Sequence, residues 1–275
     1  MAPSPRLRRV ATAVSAVLLL VCVAADLQAQ FRRGFGAIRR ATAQDHDGAF
    51  HFCRAIYRSD FRGDGGNWSV DWPRADINLS VRLGELTRTH ISKTGGEPNP
   101  LLVQLTDDAL FDCPFVMMTE VGTAFFDEKE SARLRQYVLK GGFVWADDFW
   151  GTYAWEWWEA QLRKFLPAAE YPIVDLPPDH PLFRAQFVIK ETPQIASIGF
   201  WAGSGGGTSE RGADSAVAHS RAVLDAHGRI MVLMTHNTDV GDSFEREGDD
   251  PQYFMTMSVP GYAYGVNTLL YALTH

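Results

Sequence analysis

Residues 114–150 read PFVMMTEVGTAFFDEKESARLRQYVLKGGFVWADDFW, and this stretch decides the fold. It passes from a short apolar run to a charged amphipathic segment, a Gly-Gly pair and a second apolar run that ends in two aspartates. This order predicts a strand, a helix, a turn and a second strand. The stretch therefore indicates an α/β unit, and the aspartates mark where a site is expected.

The predicted helix of this stretch carries signals at both ends. Asp127 stands at a capping position and Glu130 follows three residues later, which is the spacing of a capping box. Gly141 comes after the last helical residue, where glycine adopts a left-handed conformation without a Cβ clash. Apolar residues recur on one face at helical intervals, namely Leu134, Tyr137 and Val138.

The two apolar runs, residues 114–119 and 143–146, have no polar face. Strands of this kind are buried on both sides, which is typical of a parallel sheet with helices on each face. Two parallel strands joined through a helix make a right-handed crossover. In open sheets of this type the ligand crevice lies beyond the carboxyl ends of the strands. Glu120, Asp147 and Asp148 are expected there.

The segments on either side fit the same architecture. Residues 49–57 and 101–105 are further apolar strands, and a helix is predicted from residue 73 to about residue 90. Residues 217–224 and 229–235 flank a short turn, which predicts a hairpin at one edge of the sheet.

The remaining segments are a tryptophan-rich helix, three loops and a final helix. The helix follows Trp150 and is ended by Pro167. An apolar helix over residues 261–275 docks on the sheet. The segments predicted to be irregular are residues 171–187, 202–213 and 237–253.

The amino-terminal segment differs in composition from the rest of the chain. Residues 1–29 combine three arginines with an apolar run and a small residue before the expected cleavage point, which predicts a signal peptide. An uncleaved membrane anchor is the alternative. Residues 30–47 are predicted to be a basic flexible linker near the membrane surface, and residues 48–275 a single domain. An exported, periplasmic or membrane-anchored protein is expected.

The charge of the chain excludes one class of partner. The formal net charge is −7. Residues 1–29 carry +2 and residues 30–40 carry +4, so the body from residue 41 onward carries −13. Because an acidic surface repels phosphate backbones, nucleic acid is not expected as a partner.

Two cysteines, Cys53 and Cys113, lie in the predicted domain. An exported protein permits a disulfide, but pairing depends on a Cα distance that the spacing does not reveal. Two buried free thiols are the expectation, because cysteine is among the most buried residue types.

Acidic residues after the strands are the first candidates for a site. Asp147 and Asp148 can hold a divalent metal, bind sugar hydroxyls or act as acid and base; alternatively, one caps a helix and the other is solvated. Glu120 can join them. Asp107, which follows the strand at residues 101–105, is a ligand or only a turn residue.

Histidines and polar loops supply the other candidates. His180 lies in an Asp-His-Pro loop. It can act as a base or a metal ligand, or its side chain can form hydrogen bonds within its own loop. His236, Asn237, Asp239 and Asp242 follow a strand directly, which suits metal or polyol binding, or a loop held by Asx turns. A divalent metal is the cofactor that these residues allow. The candidate metal ligands are Asp148, His236 and Asp239.

The loop after the first strand carries weaker signals. Arg58, Arg62 and the glycine-rich turn at residues 63–67 stand where related folds hold an anion, but neighbouring aspartates oppose a phosphate. Trp68 and Trp72 can stack a sugar ring or cover the crevice.

Five motifs together carry a resemblance to a known family. They are GGNW at 65–68, KGGFVWADD at 140–148, DHP at 179–181, HNTDVGDSFER at 236–246 and GVNTLLYALTH at 265–275. On these motifs the chain resembles the bacterial domain-of-unknown-function family 4159 over residues 48–275. The resemblance implies an exported or membrane-associated protein with no established activity. It also implies an α/β three-layer sandwich with a mostly parallel sheet, flavodoxin-like or similar to class I glutamine amidotransferases.

One departure from the amidotransferase pattern bears on function. Those enzymes place a nucleophilic cysteine after the strand that corresponds to residues 143–146, where this chain has Asp147 and Asp148. Glutaminase chemistry is therefore not expected.

Three hypotheses of function follow. The first is a noncatalytic module of the cell envelope that binds a small polar ligand or a protein partner, through a crevice lined by Asp147, Asp148, His180 and His236. The second is a metal-assisted hydrolase of a glycan or other envelope substrate. The third makes the tryptophan-rich helix, with Trp157 and Trp158, a docking surface for a membrane partner.

Overall fold

A computed structural model describes residues 40–275, and its centre is a seven-stranded sheet. The strands, numbered in chain order, are β1 (Cys53–Ile56), β2 (Leu101–Gln104), β3 (Phe115–Thr119), β4 (Phe143–Asp147), β5 (Ile173–Asp175), β6 (His219–Leu224) and β7 (Ile230–His236). Two small antiparallel pairs accompany the sheet. They join Arg58–Ser59 to Ala124–Phe125, and Lys93–Thr94 to Glu97–Pro98.

Between residues 40 and 275, six helices of six or more residues surround the sheet. They are α1 (Arg74–Leu86), α2 (Glu128–Leu139), α3 (Gly151–Phe165), α4 (Ile198–Gly203), α5 (Val240–Glu245) and α6 (Val259–Thr274). A helical turn (Pro251–Tyr253) and a π-helical stretch (Phe254–Ser258) run into α6. Short 3-10 turns lie at Ala43–Asp45, Asp108–Asp112, Val121–Thr123, Pro181–Arg184 and Gly212–Ser215.

The strand order confirms the predicted fold class. Across the sheet the order is β2-β1-β3-β4-β7-β6-β5, and the first five strands are parallel. The five parallel strands have the order of a flavodoxin-like sheet; β6 pairs antiparallel with β7 as a hairpin, and β5 pairs antiparallel with β6 at the edge. The hairpin therefore forms as predicted, while β5, from a segment predicted to be irregular, is the outermost strand.

Both faces of the sheet are covered, as the apolar strands predict. Alternate residues of β3 enter different cores: Val116 packs with α2 and α3, whereas Met117 packs with α1, α5 and α6. Trp145 on β4 and Trp158 on α3 are fully buried on opposite faces. The protein is therefore a three-layer sandwich with a hydrophobic core on each side of the sheet.

The predicted capping signals of α2 are present. The Asp127 side chain accepts from the Glu130 backbone N–H at 2.9 Å, and the Glu130 side chain accepts from the Asp127 N–H at 2.9 Å. Gly141 follows the helix with a φ of 106°, the left-handed region that the sequence requires there.

A buried ion pair joins β1 to α1. Arg54 and Asp76 are both fully buried, and the guanidinium Nε lies 3.0 Å from each carboxylate oxygen. The other end of Arg54 donates to the carbonyls of Trp68, at 3.3 Å, and Val70, at 3.1 Å. The loop between β1 and α1 is thus fastened to the sheet just before Asp71.

Three segments differ from the sequence prediction. Residues 40–47, predicted to belong to a flexible linker, pack on the domain, because the Ala41 N–H donates to the Leu102 carbonyl at 2.8 Å. Residues 237–253, predicted to be a loop, contain α5, whose first turn is capped by Asp239. The glycine-rich residues 202–213 begin with the end of α4. Short helices of this kind lack the long periodic pattern by which helices are recognised.

The expectation of two free thiols is wrong. Cys53 opens β1, Cys113 precedes β3, and the two are joined in a disulfide with their Cα atoms 6.1 Å apart. Adjacent parallel strands bring the two residues together, a proximity that their separation of 60 residues in sequence does not reveal.

No helix in the described part of the chain is long and apolar enough to cross a membrane. The predicted signal peptide or anchor, residues 1–29, lies outside the described residues, as does the linker up to residue 39.

The disulfide gives a test of stability. Replacing both cysteines, as in Cys53→Ala with Cys113→Ala, is expected to lower the free energy of unfolding by about 4 kcal/mol, because the reduced unfolded chain regains the entropy of a long loop. Urea denaturation of the two proteins measures the difference. Equal midpoints, with unchanged slopes, would show that the two sulfurs are not bonded.

Candidate functional site

Three adjacent strands end in the same unusual backbone conformation. Glu120 after β3, Asp148 after β4 and Asn237 after β7 have φ values of 56°, 55° and 62°. Such left-handed conformations are uncommon for residues other than glycine and cluster at functional sites. Since β3, β4 and β7 are neighbours, the three polar side chains lie along one edge of the sheet.

A pocket of about 410 Å³ opens beyond these strand ends. It lies at the carboxyl side of the parallel strands, where the strand-end rule places ligands. Its acidic wall is formed by Asp71, Glu120, Asp148, Glu210, Asp239, Asp242 and Glu245. The rest of its lining is Gly65, Val70, Trp150, Ser197, Arg211 and Arg246.

Asp148 and Glu120 form the wall nearest the sheet. Asp148 is buried and accepts from the Trp150 indole N–H at 3.0 Å. The Glu120 carboxyl group is its electrostatic neighbour, and their interaction contributes to a raised pKa of Asp148. A carboxyl group that keeps its proton can donate a hydrogen bond as well as accept one. Gly65 is needed beside them, because a Cβ there would collide with the Glu120 carboxylate.

Asp71 reaches the pocket from the loop between β1 and α1. It follows Val70, whose carbonyl is held by Arg54, and its own φ is 64°. Its side chain is buried, and its Oδ2 atom has no hydrogen-bond partner. On the opposite side, Gly241 leaves the space that this carboxylate occupies, since a Cβ on Gly241 would collide with Oδ2.

Asp239 is the N-cap of α5, and Asp242 lies in the first turn of this helix. The Asp239 side chain accepts from the Asp242 N–H at 2.8 Å and so caps this helix. Asp242 in turn accepts from the Ile198 N–H at 2.6 Å and the Tyr253 hydroxyl at 3.0 Å. The HNTDVGD segment therefore combines a capping role with two carboxylates at the pocket.

Burial of so many acids shifts their protonation. Desolvation, followed by repulsion from neighbouring carboxylates, raises the pKa of Asp71, Asp148 and Asp239 well above its usual range. Desolvation raises the pKa of Glu120 to about 7. Two unit charges roughly 5 Å apart repel by about 3 kcal/mol at an effective dielectric constant of 20. Metal-free, the cluster therefore favours partly protonated carboxyl groups.

The basic residues of the pocket are already paired. Arg211 lies 3.2 Å from Asp64, and Arg246 lies 2.7 Å from Glu245 and 3.5 Å from Asp242. Between residues 40 and 275, no lysine or arginine forms an ion pair with Asp71, Asp148 or Asp239, the three acids of the inner wall. Their negative charge is thus left for a ligand or a proton to neutralise.

Asp147 stands behind the pocket rather than in it. It is fully buried, accepts from the Thr235 hydroxyl, and accepts from the Gly241 N–H at 3.0 Å. Desolvation raises its pKa to about 7. Asp147 therefore ties the end of β4 to β7 and to α5, and it does not line the predicted crevice.

His236 and Asn237 are also engaged in structural contacts. The His236 ring packs on Phe149 and Trp155, with centroids 5.0 and 5.1 Å away, and its Nε2 donates to the Gly151 carbonyl at 3.0 Å. Asn237 accepts from the Gly151 N–H at 2.8 Å. Both residues fasten the start of α3 to the end of β7, and neither lines the pocket.

His180 does not share the predicted crevice. Its Nδ1 accepts from the Leu182 N–H at 3.2 Å, and its ring lies 5.4 Å from that of Tyr271. The Tyr271 hydroxyl accepts from the N–H of Ile230, the first residue of β7. His180 therefore lies at the amino end of β7, opposite the pocket, where it stabilises its own loop.

Two further candidates lie apart from the pocket. Asp107 accepts from the Gln104 N–H at 3.0 Å in the turn after β2, an edge strand that β1 and β3 separate from β4. Trp68 packs against the core on the side of α2 and α3, and its carbonyl bonds Arg54. Asp107 thus has the turn role that was one of its two predicted alternatives, whereas Trp68 packs on the core and does not line the pocket.

The tryptophan-rich helix faces the interior. Trp158 is fully buried, while Trp157 donates to the Ala124 carbonyl at 2.7 Å. Trp155 packs between Phe149 and the Arg221 guanidinium. Trp158 is therefore part of the core, whereas Trp155 and Trp157 are partly exposed and Tyr153 is exposed, and the docking surface for a membrane partner stays a prediction.

Sequence reasoning did not single out Asp71, Glu210 or Glu245. Asp71 lies in an Asp-Trp-Pro sequence just before α1, at the carboxyl side of β1, and this position was the available signal. Glu210 and Glu245 lie far from any predicted strand end. No local pattern marks them, because long-range packing brings them to the pocket.

A comparison with protein families gives one match. The family model described as Domain of unknown function (DUF4159) matches residues 51–273, which include every residue of the pocket. None of the curated proteins compared with the chain matches it.

His236 gives a test of the electrostatics beside the pocket. Desolvation, with Arg221 nearby, lowers its pKa to about 4, whereas the unfolded chain binds the proton near pH 6.5. Because the unfolded state then binds more protons, the free energy of unfolding should fall as the pH drops from 6.5 to 4, by roughly 2–3 kcal/mol.

The matched control is His236→Phe, which keeps the ring packing and removes the titration. Urea denaturation at pH 7 and pH 4.5 should show that the wild type loses more stability than this variant. Parallel losses in the two proteins would mean that His236 titrates normally in the folded state.

Proposed function

The chain belongs to the DUF4159 family, and from that premise we propose that its domain is a noncatalytic module that binds a small hydroxyl-rich ligand at the cell envelope. The family description assigns no activity, so the proposal is drawn from the pocket. One observation carries it: seven of the thirteen residues that line the pocket are acidic, and its two arginines are already paired with carboxylates.

The charge of the pocket selects the ligand class. Carboxylates accept hydrogen bonds and donate none when ionised, so they suit a ligand that presents several hydroxyl groups. A phosphate or other anion would meet repulsion from the same wall. The volume of about 410 Å³ lies within the roughly 300–1,000 Å³ of small-molecule sites. Trp150 supplies an apolar surface beside Asp148, against which a sugar ring can pack.

Two observations support binding rather than turnover by a thiol. The strand end that carries the cysteine in amidotransferases carries Asp147 and Asp148 here. The two cysteines of residues 40–275 are joined to each other, and thus no free thiolate is present in that part of the chain. Attack on an amide by cysteine is therefore not available at this pocket.

The cell envelope is proposed as the location on two grounds. Residues 1–29 have the composition of a signal peptide or anchor. The Cys53–Cys113 disulfide accords with an oxidising compartment, since such bonds are rare in the cytosol.

Metal-assisted hydrolysis is the second candidate. The neighbouring carboxyl groups of Glu120 and Asp148 favour it, because desolvation raises the pKa of both and such a pair can donate and accept a proton beside an open pocket. Release of nitrophenol from nitrophenyl glycosides in the presence of a divalent metal, abolished by Glu120→Gln, would replace the binding proposal with this one.

Glucose and glucose 6-phosphate form a matched pair of probes for the binding proposal. Saturation-transfer NMR should detect binding of glucose and not of its phosphate. Glu120→Gln and Glu210→Gln remove a charged acceptor each and should raise the Kd for glucose about tenfold, the effect of losing one such hydrogen bond.

Glu191→Gln is the control, since Glu191 is an exposed acid outside the pocket. It should leave the Kd unchanged. Tighter binding of glucose 6-phosphate than of glucose, or equal effects of all three variants, would contradict a neutral hydroxyl-rich ligand.

A further inference from the structure

Three buried aspartates converge on one point of the pocket wall. Asp71, Asp148 and Asp239 each offer a carboxylate oxygen, and these oxygens all lie within 4.8 Å of one another. The three come from different parts of the chain: the β1–α1 loop, the end of β4 and the cap of α5. Each residue is at most 7 % exposed.

A second observation, independent of the clustering, points to a ligand. The Oδ2 atom of Asp71 is buried and has no hydrogen-bond partner. Buried polar atoms are nearly always paired, and a carboxylate oxygen without a partner is the kind of exception that an absent ion explains. Asp71 lines the pocket, and Gly241 leaves the space for its carboxylate.

A second acidic group shares Asp71 but has its charge neutralised. Asp242 and Glu245 also lie within 4.8 Å of Asp71 by one oxygen each. Arg246 contacts both of them, and the Tyr253 hydroxyl donates to Asp242. Asp148 and Asp239 have no such cation among the described residues, so they form the better site with Asp71.

We propose that Asp71, Asp148 and Asp239 bind a calcium ion at the floor of the pocket. The inference rests on the proposed pocket but not on its organic ligand. A bound cation would satisfy the free oxygen of Asp71 and neutralise carboxylates that form no ion pair with an arginine or lysine of residues 40–275. It would leave its remaining coordination positions open to the pocket, where water or ligand hydroxyls complete them.

The ligand chemistry selects the ion. All three groups are hard carboxylate oxygens, which suit calcium and magnesium rather than the histidine and thiolate sites of zinc. Calcium also accepts an irregular set of oxygen ligands that lie up to about 5 Å apart, whereas magnesium demands near-ideal octahedral geometry and keeps several of its own waters. The spacing within 4.8 Å therefore accommodates calcium without movement of the loops. His236, predicted as a ligand, is replaced by Asp71.

The backbone allows a conservative set of variants. Asp71 and Asp148 have positive φ values, a conformation that asparagine adopts at least as readily as aspartate. Asp239 caps α5, and asparagine is an equally good cap. Each Asp→Asn change therefore removes one charge while the local conformation is retained.

Calcium chloride alone is the probe. The full chain is treated with a chelator, exchanged into chelator-free buffer and titrated by calorimetry, with thermal unfolding followed in parallel. We expect saturable binding of one ion and a rise in Tm. Asp71→Asn should weaken the affinity about tenfold or more, an effect typical of altered metal sites. The control Asp179→Asn, at an exposed acid outside the pocket, should change neither quantity.

The metal-free proteins show whether a variant is folded. In chelator, Asp71→Asn should unfold cooperatively at a Tm no lower than that of the wild type, since it removes a repelled charge. If Asp71→Asn does not unfold in this way, Asp148→Asn and Asp239→Asn are compared with the wild type instead. No heat and no change in Tm up to about 10 mM calcium, beyond the weak extracellular range, would overturn the proposal. Asp→Asn variants that fold but bind calcium with the affinity of the wild type would also overturn the proposal.

The calcium site and the hydroxyl-rich ligand can be rejected independently of each other. Calcium binding without any glucose binding would keep the metal site and reject the hydroxyl-rich ligand. Glucose binding in chelator, with no calcium binding, would do the reverse.

Discussion

The buried ion pair between Arg54 and Asp76 is the constraint on which the pocket depends. Both groups are removed from water, so each is stable only with its partner, and loss of either would leave a buried charge that costs about 3–5 kcal/mol. Because the same guanidinium also holds the carbonyls of Trp68 and Val70, the pair fixes the loop that carries Asp71. The ion pair between Arg54 and Asp76 thus positions Asp71 in the pocket.

The carboxyl ends of the strands contribute further acidic residues to the pocket. Parallel strands bring Glu120 and Asp148 to one edge, and a left-handed residue at each strand end turns the chain away from the sheet. The cap of α5 adds Asp239. Collecting these carboxylates opposes folding, because burial and mutual repulsion both disfavour their charged forms. Within residues 40–275 no arginine or lysine forms an ion pair with Asp71, Asp148 or Asp239, and the proposed calcium ion would supply the missing positive charge.

The features that depend on strand order and on strand ends could be predicted from the sequence. The features that depend on packing between distant parts of the chain were missed. The apolar runs and the α2 capping box predicted the parallel sheet, and the strand-end rule placed Asp148 at the pocket. Asp71 was missed although it follows β1 on the carboxyl side of the sheet, because the Arg54 bonds that hold its loop at the pocket leave no local pattern. His180 was misplaced because its loop packs on α6 at the amino end of the sheet. The disulfide at Cys53 depended on a Cα distance that spacing does not give.

The most direct test is a crystal structure of the protein grown with calcium, with anomalous difference density calculated around the three aspartates. The account predicts one strong peak about 2.3–2.6 Å from an oxygen of each of Asp71, Asp148 and Asp239. Only water in that position, hydrogen-bonded to carboxyl groups that carry protons, would contradict it.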